Sequence, residues 1–116
     1  QAWRDALSAA DAVLLCTPEY AHGMPGVLKN ALDWVVGSGE LVDMPVVALA
    51  ASPSAAGGTF AHAHLMEILA VMNTTLLREH SFTIPSSRTK AKDGAITDPE
   101  LAARLRDALA ALSAGN

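Results

Sequence analysis

Val46-Val47-Ala48-Leu49-Ala50-Ala51, introduced by Pro45 after the turn residues Asp43 and Met44, contains no polar position. A strand with one face in water alternates apolar and polar residues, so an unbroken run predicts a parallel strand covered on both faces by helices. Upstream, Asp11 introduces a second such run, Ala12-Val13-Leu14-Leu15-Cys16, which Thr17 and Pro18 end. Between the two, Pro25 and Gly26 open a helix whose Leu28, Ala31, Leu32 and Val35 form one stripe, until Gly37-Ser38-Gly39 stops it. Strand, helix and strand in this order call for a crossover connection in a parallel sheet.

Downstream of Ala51 lies a small, flexible loop, Ser52-Pro53-Ser54-Ala55-Ala56-Gly57-Gly58. A helix follows, with Ala61, Leu65, Ile68, Leu69 and Met72 on one face and its end near Asn73. Leu76, Leu77, Phe82 and Ile84 predict a third strand region, which Arg78, Glu79 and His80 interrupt and so place toward a sheet edge. Residues 86–97 lack apolar period and predict an exposed, mobile connection. Asp98 as N-cap and Pro99 as first helical residue start a last helix, apolar at Leu101, Leu105, Ala108, Leu109 and Leu112 and ending at Gly115. At the other end, Trp3, Leu7 and Ala10 mark the final turns of a helix. The whole predicts a doubly wound α/β domain spanning residues 1–116.

Composition narrows the function. The 116 residues carry 8 Lys+Arg against 12 Asp+Glu, a net charge of −4, which lacks the positive field that nucleic acid or an anionic lipid surface requires. Hydrophobic residues make up 51%, but 23 residues are Ala, so the bulky core is modest and single. Apolar stretches fall far short of the ~20 residues that span a bilayer. A lone cysteine, Cys16, forms no internal disulfide and points to a reducing compartment, with cytoplasm as the expected location. Gln1-Ala2-Trp3-Arg4-Asp5 has neither an initiator Met nor the basic-then-apolar order of a secretory signal, and the start is not expected to be native.

Ligands of open parallel sheets bind beyond the carboxyl ends of the strands, which singles out the loops after Cys16 and Ala51. The first, Thr17-Pro18-Glu19-Tyr20-Ala21-His22-Gly23-Met24-Pro25, couples a rigid turn to an aromatic ring against which a planar ligand could lie. The second, through Ser52, Gly57 and Gly58, can bring backbone amides close to a polar ring edge.

Thr17-Pro18-Glu19-Tyr20, Pro25-Gly26, Leu28-Lys29-Asn30-Ala31 and Asp33-Trp34 together resemble the signature of the NADPH-dependent FMN reductase family, which is flavodoxin-like, and the resemblance covers essentially the whole chain. It implies noncovalent FMN, reduction by NADPH or NADH, and onward transfer to quinones, azo dyes, chromate or free flavin, in homodimers or dimers of dimers. By this resemblance Pro18, Glu19 and Tyr20 line the isoalloxazine ring, His22 stands in the same loop, and Ser52, Gly57 and Gly58 approach the pyrimidine edge. No acid–base residue is implied, because hydride transfer to flavin N5 draws its reactive atom from the cofactor and the protein orients it. Alternate donation and acceptance at one open face implies a ping-pong cycle.

The chain departs from this family at two places. Ala21 stands where the family usually has Asn. The family also begins with a strand, a Ser/Arg loop that holds the FMN phosphate, a helix and a second strand, and this sequence shows none of these. Under the family strand order 2-1-3-4-5, residues 12–16 would then form an apolar edge, so the expectation is a piece of a longer protein or one that associates through that edge. The alternative reading is a noncatalytic flavodoxin-like fragment or oligomerisation module unable to retain FMN; an electron carrier is a third, disfavoured by the want of a strongly acidic docking face.

Other residues carry blander readings. His62 and His64, two apart on a helix, diverge and cannot share one metal ion. Cys16 reads as a small core residue rather than a nucleophile, and Gly37-Ser38-Gly39 follows a helix rather than a strand and is no nucleophile elbow. Trp34 lies off its helix stripe, as a half-buried surface ring or a subunit contact. Arg88, Lys90 and Lys92 form a short basic group, either solvated or in contact with an NADPH 2′-phosphate.

Overall fold

The computed structural model describes residues 1–114. Along it run α1 (Ala2–Ala9), β1 (Val13–Thr17), α2 (Gly26–Asp33), β2 (Pro45–Ala51), α3 (Thr59–Val71), β3 (Thr75–Leu76), β4 (Thr83–Ile84), β5 (Ala91–Lys92), β6 (Ala95–Ile96) and α4 (Pro99–Ala114). Both apolar runs become parallel partners, Val13 opposite Val46 through Thr17 opposite Ala50. The sheet is therefore α/β and parallel as expected, with β2 at its centre. The predicted end of α4 at Gly115 lies outside the described residues.

Helices cover the two faces of β2 unequally. Val46 and Ala48 point into a core with Leu7 of α1, Leu32 of α2, and Leu65 and Leu69 of α3. Val47 and Leu49 point the other way, against Leu101, Ala108 and Leu112 of α4. Every side chain from Val46 through Ala50 is buried, which is why that stretch shows no alternation. β1 differs: Val13 and Leu15 join the first core, but Leu14 and Cys16 are exposed. The reading of Cys16 as a core residue is thus corrected. Leu14 and Cys16 lie opposite Val47 and Leu49, on the α4 side, and α4 covers β2 without extending over them. Enough protein still surrounds the sulfur that desolvation raises the Cys16 thiol above its ordinary pKa, which leaves it a poor nucleophile.

The third strand region is split as predicted, and its two halves both pair with β2. Pro45 and Val46 meet Thr75 and Leu76; Ala50 and Ala51 meet Thr83 and Ile84. Between them a 3-10 turn, Arg78–His80, takes the chain out of the sheet. The backbone N–H and C=O groups of the even-numbered residues of β2 are directed toward this side, and those of Ala48 sit opposite the gap. Side chains complete its rung. The Ala48 N–H donates to Ser81 Oγ at 3.0 Å, and Ser81 Oγ in turn donates to Leu77 O at 2.8 Å. His62 Nε2 lies 3.0 Å from Ala48 O; a carbonyl can only accept, so this nitrogen carries the hydrogen.

Residues 86–97 are not the featureless connection that the sequence suggested. A 3-10 turn at Ser87–Thr89 leads into a hairpin, β5 antiparallel to β6, around Asp93-Gly94. Both turn residues have positive φ, 52° and 80°, as a type I′ turn requires, and an Asp-Gly pair suits that turn best. Asp98 caps α4 as predicted, its carboxylate accepting from Leu101 N–H at 2.9 Å. Asp98→Ala should cost about 1 kcal/mol, read as a lower urea midpoint at unchanged slope. Among the described residues no helix is long and apolar enough to cross a membrane.

Candidate functional site

Because β1 and β2 are parallel, the loops that leave their carboxyl ends emerge side by side. The first is a tight reversal. Tyr20 N–H donates to Gly23 O at 2.8 Å and Gly23 N–H to Tyr20 O at 2.9 Å, with Ala21 and His22 at the turn, both left-handed at φ 49° and 60°. This φ pattern is again that of type I′, here built on two residues other than glycine. Alanine in that region costs about 1–2 kcal/mol, whereas asparagine is among the few residues that tolerate it. The Ala21 substitution noted in the sequence therefore falls on a strained position.

The second loop is held by its own small side chains. Ser54 N–H donates to Ser52 Oγ at 3.2 Å, Ala56 N–H to Ser54 Oγ at 3.1 Å, and Gly57 N–H to Ser54 O at 3.2 Å. From the far side, Ser86 N–H donates to Ser54 O and Ser87 N–H to Ser52 O, both at 2.9 Å. Gly57 has φ +71° and lies so close to Pro85 that a Cβ would come within 3.3 Å of the proline Cβ. A Cβ on Gly58 would stand 3.1 Å from the buried Ala50 Cβ and 3.8 Å from Glu19 Cβ. The two glycines thus let the start of α3 settle onto β2 and the first loop.

A cleft of 390 Å³ opens between the loops, lined by Glu19, Ala21, His22, Ser52, Ser54, Ala56, Gly57, Thr59 and Phe60. That volume lies in the range of small-molecule sites, roughly 300–1,000 Å³. Four of the expected residues, Glu19, His22, Ser52 and Gly57, line it together. Gly58 stands behind its wall, as the close approach to Ala50 and Glu19 shows. Pro18 and Tyr20 do not share it; they line a second hollow of 350 Å³ with Cys16, Thr17, Pro25, Val27 and Leu28. The reversal at Ala21-His22 separates them. Ala21, noted in the sequence only as a departure from the family, lines it too, and Ser54, Ala56, Thr59 and Phe60 are lining residues that the sequence reading did not single out. For Phe60 a signal existed: it follows the glycine pair and lies off the apolar stripe of α3.

The donor set of the cleft is incomplete in a definite way. Glu19 Oε1 is buried and accepts no hydrogen bond, alone among the buried side-chain N and O atoms of the described residues. A buried acceptor without a donor is costly, and a ligand N–H or O–H would relieve it. Ser52 Oγ accepts from Ser54 N–H and keeps its own O–H free to donate. At the mouth, the His22 and Phe60 rings are stacked, 4.4 Å between centroids and 20° between planes. A larger groove of 590 Å³ runs along α2 and α3, lined largely by apolar side chains, at a distance from the carboxyl ends of the strands. His64 lines that groove whereas His62 reaches β2, so the two histidines diverge as expected. Trp34 is exposed.

The sequence profile of the family described as NADPH-dependent FMN reductase matches residues 1–89. The chain is similar to the NADH:(hydroxy)cinnamate reductase subunit CrdA of Vibrio ruber, 46% identical over 66 residues that cover 56% of this chain and 33% of the relative. It is similar as well to the NAD(P)H:quinone oxidoreductase of Solanum tuberosum, 30% identical over 117 aligned positions covering 98% of this chain and 60% of the relative. Among solved structures, the flavoenzyme NAD(P)H:(acceptor) oxidoreductase FerB of Paracoccus denitrificans superposes with TM-score 0.76 at 29% identity, over 97% of this chain and 62% of that one. The chain thus spans between a third and about three-fifths of the length of these relatives.

Proposed function

We propose, from the premise that this chain belongs to the NADPH-dependent FMN reductase family, that the cleft between the Glu19 and Ser52 loops receives the flavin of an NAD(P)H-dependent oxidoreductase. The fold is flavodoxin-like, and membership makes FMN and NADPH the expected cofactors. The observation that carries the reading is the buried, unpartnered Oε1 of Glu19, a residue that lines the cleft together with Ser52. An acceptor and a donor among the residues of one cleft suit the edge of the flavin pyrimidine, where N–H and C=O groups alternate. When bound, the flavin supplies the centre that takes a hydride from the nicotinamide and passes electrons on.

This chain's own residues then hold and orient. Ser52 and Glu19 fix the ring edge, and Gly57 and Gly58 keep the loop backbone close. His22 borders the same ring, with Pro18 and Tyr20 supporting the turn from its other side. The acceptor is a small molecule, with quinones first because relatives such as the Solanum tuberosum enzyme are named for them; azo compounds, chromate and free flavin belong to the same proposal. The cycle is ping-pong at one open face, in a homodimer or homotetramer within the cytoplasm. Val36, Val42 and Val71, exposed around the α2–α3 groove, support self-association.

Flavin fluorescence tests this reading. Titration of FMN with the 116-residue chain should quench the emission with a Kd on the order of micromolar, and Glu19→Ala should weaken binding at least about tenfold. Quenching absent at roughly a hundredfold higher concentration would leave the noncatalytic fragment as the better description.

A further inference from the structure

A strongly charged segment stands beside the cleft and takes no part in lining it. Arg88, Lys90 and Lys92 gather three of the eight Lys+Arg of an acidic chain into five residues. Its backbone is tied to the cleft wall: the bonds from Ser86 N–H to Ser54 O and from Ser87 N–H to Ser52 O hold the 3-10 turn that carries Arg88 against the second loop. From this turn Lys90 leads into β5 and Lys92 ends it, in the hairpin closed by Asp93-Gly94. Arg88 and Lys92 are exposed and Lys90 is half-buried. Among the described residues, none of the three cationic groups is in an ion pair, and the hydroxyls of Ser86 and Ser87 make no hydrogen bond. Of the two nearby acids, Asp93 sits in the hairpin turn and Asp98 is engaged with Leu101 N–H.

We infer that this basic hairpin receives the 2′-phosphate of NADPH and so selects NADPH over NADH, an inference that rests on the cleft being the flavin site. A cleft of 390 Å³ has room for ring systems and not for a whole dinucleotide, so a nicotinamide that reaches the flavin leaves its adenosine half along the rim. On the Ser52 side that rim continues into the turn at Arg88. A phosphate monoester brings close to two negative charges and three acceptor oxygens. A guanidinium takes two of those oxygens at once, an ammonium adds a point charge, and a serine hydroxyl donates one bond. Because none of these groups is already paired, no internal ion pair has to break when the phosphate arrives. NADH carries a plain ribose hydroxyl at that place and gains none of this. Surface cations are ordinary, but these are fixed by backbone bonds to the loop that walls the cleft, in a chain whose net charge of −4 otherwise disfavours a polyanion.

The test uses pieces of the adenosine half, which need neither flavin nor hydride transfer. 2′,5′-ADP, 5′-ADP and 5′-AMP are titrated calorimetrically into the 116-residue chain, with FMN binding measured separately. 2′,5′-ADP should bind about tenfold more tightly than 5′-AMP, and about fivefold more tightly than 5′-ADP, which has as many phosphates but none on the 2′ oxygen. Replacing all three cations, Arg88→Gln with Lys90→Gln and Lys92→Gln, should abolish both preferences while Tm stays within about 2 °C, since surface side chains without partners contribute little to stability. Arg78→Gln, which removes one charge from the turn between β3 and β4, should leave them within about twofold. Equal binding of 2′,5′-ADP and either control, no 2′,5′-ADP binding at millimolar concentration, or a triple variant that retains the preferences would overturn the assignment. If FMN fails to bind while the 2′-phosphate pattern holds, the cofactor reading falls and the hairpin stands as a 2′-phosphonucleotide site; if FMN binds and the pattern fails, only the hairpin assignment falls.

Discussion

Leu32→Ala should unfold the chain at a temperature lower by on the order of 10 °C. Leu32 is fully buried in the core that joins α1, α2 and α3 to one face of the sheet. Removing its isobutyl group loses transfer free energy and leaves a cavity, together about 2–5 kcal/mol. Set against a total stability of roughly 5–15 kcal/mol for a small domain, that is a large fraction. Calorimetry on the purified variant gives the figure directly. A loss below about 1 kcal/mol would mean that neighbouring side chains collapse into the space, contrary to the close packing expected of a core in which Leu65 and Leu69 are fully buried as well.

Ser81→Ala should cost about 1–3 kcal/mol, more than is usual for an uncharged serine, because its hydroxyl serves the central strand. With Oγ gone, the Ala48 N–H loses its acceptor in the stretch of β2 that is buried from Val46 through Ala50, and Leu77 O loses a donor. His62→Phe removes the other half of the rung, leaving Ala48 O without the imidazole donor. Urea titrations of both variants read the two halves separately, and the double variant should fall short of the sum, since both act at one gap. Loss of only a few tenths of a kcal/mol in each would show that water enters the gap and completes the rung.

Much of this fold was legible because burial on two faces writes itself as uninterrupted apolar residues, as at Val46 through Ala50. The split third strand was legible through Arg78-Glu79-His80, three polar residues where a covered strand could not keep them. Exposure of Leu14 and Cys16 was not legible: the run around them looks like that of β2, and only the lateral reach of α4 distinguishes the two. The β5–β6 hairpin is marked in the sequence only by its Asp93-Gly94 turn, because neither short strand carries an apolar alternation.

In the cleft, the convergence of Glu19, His22, Ser52 and Gly57 followed from strand direction alone. The parting of Tyr20 from His22 did not, because nothing about an Ala-His pair advertises a left-handed turn. Phe60 was hidden for a related reason. An aromatic off the apolar stripe of a helix reads as surface until a ring from another loop is found lying on it.

In this chain β1 pairs with β2 on a single side, and α4 leaves one of its faces bare, so it is the least secured long strand of the sheet. The turn bearing Glu19 and His22 is its direct continuation. Fraying at this margin would therefore dismantle half of the binding wall while the far half of the molecule stays folded. A ligand bridging both loops would act as a rivet across that seam.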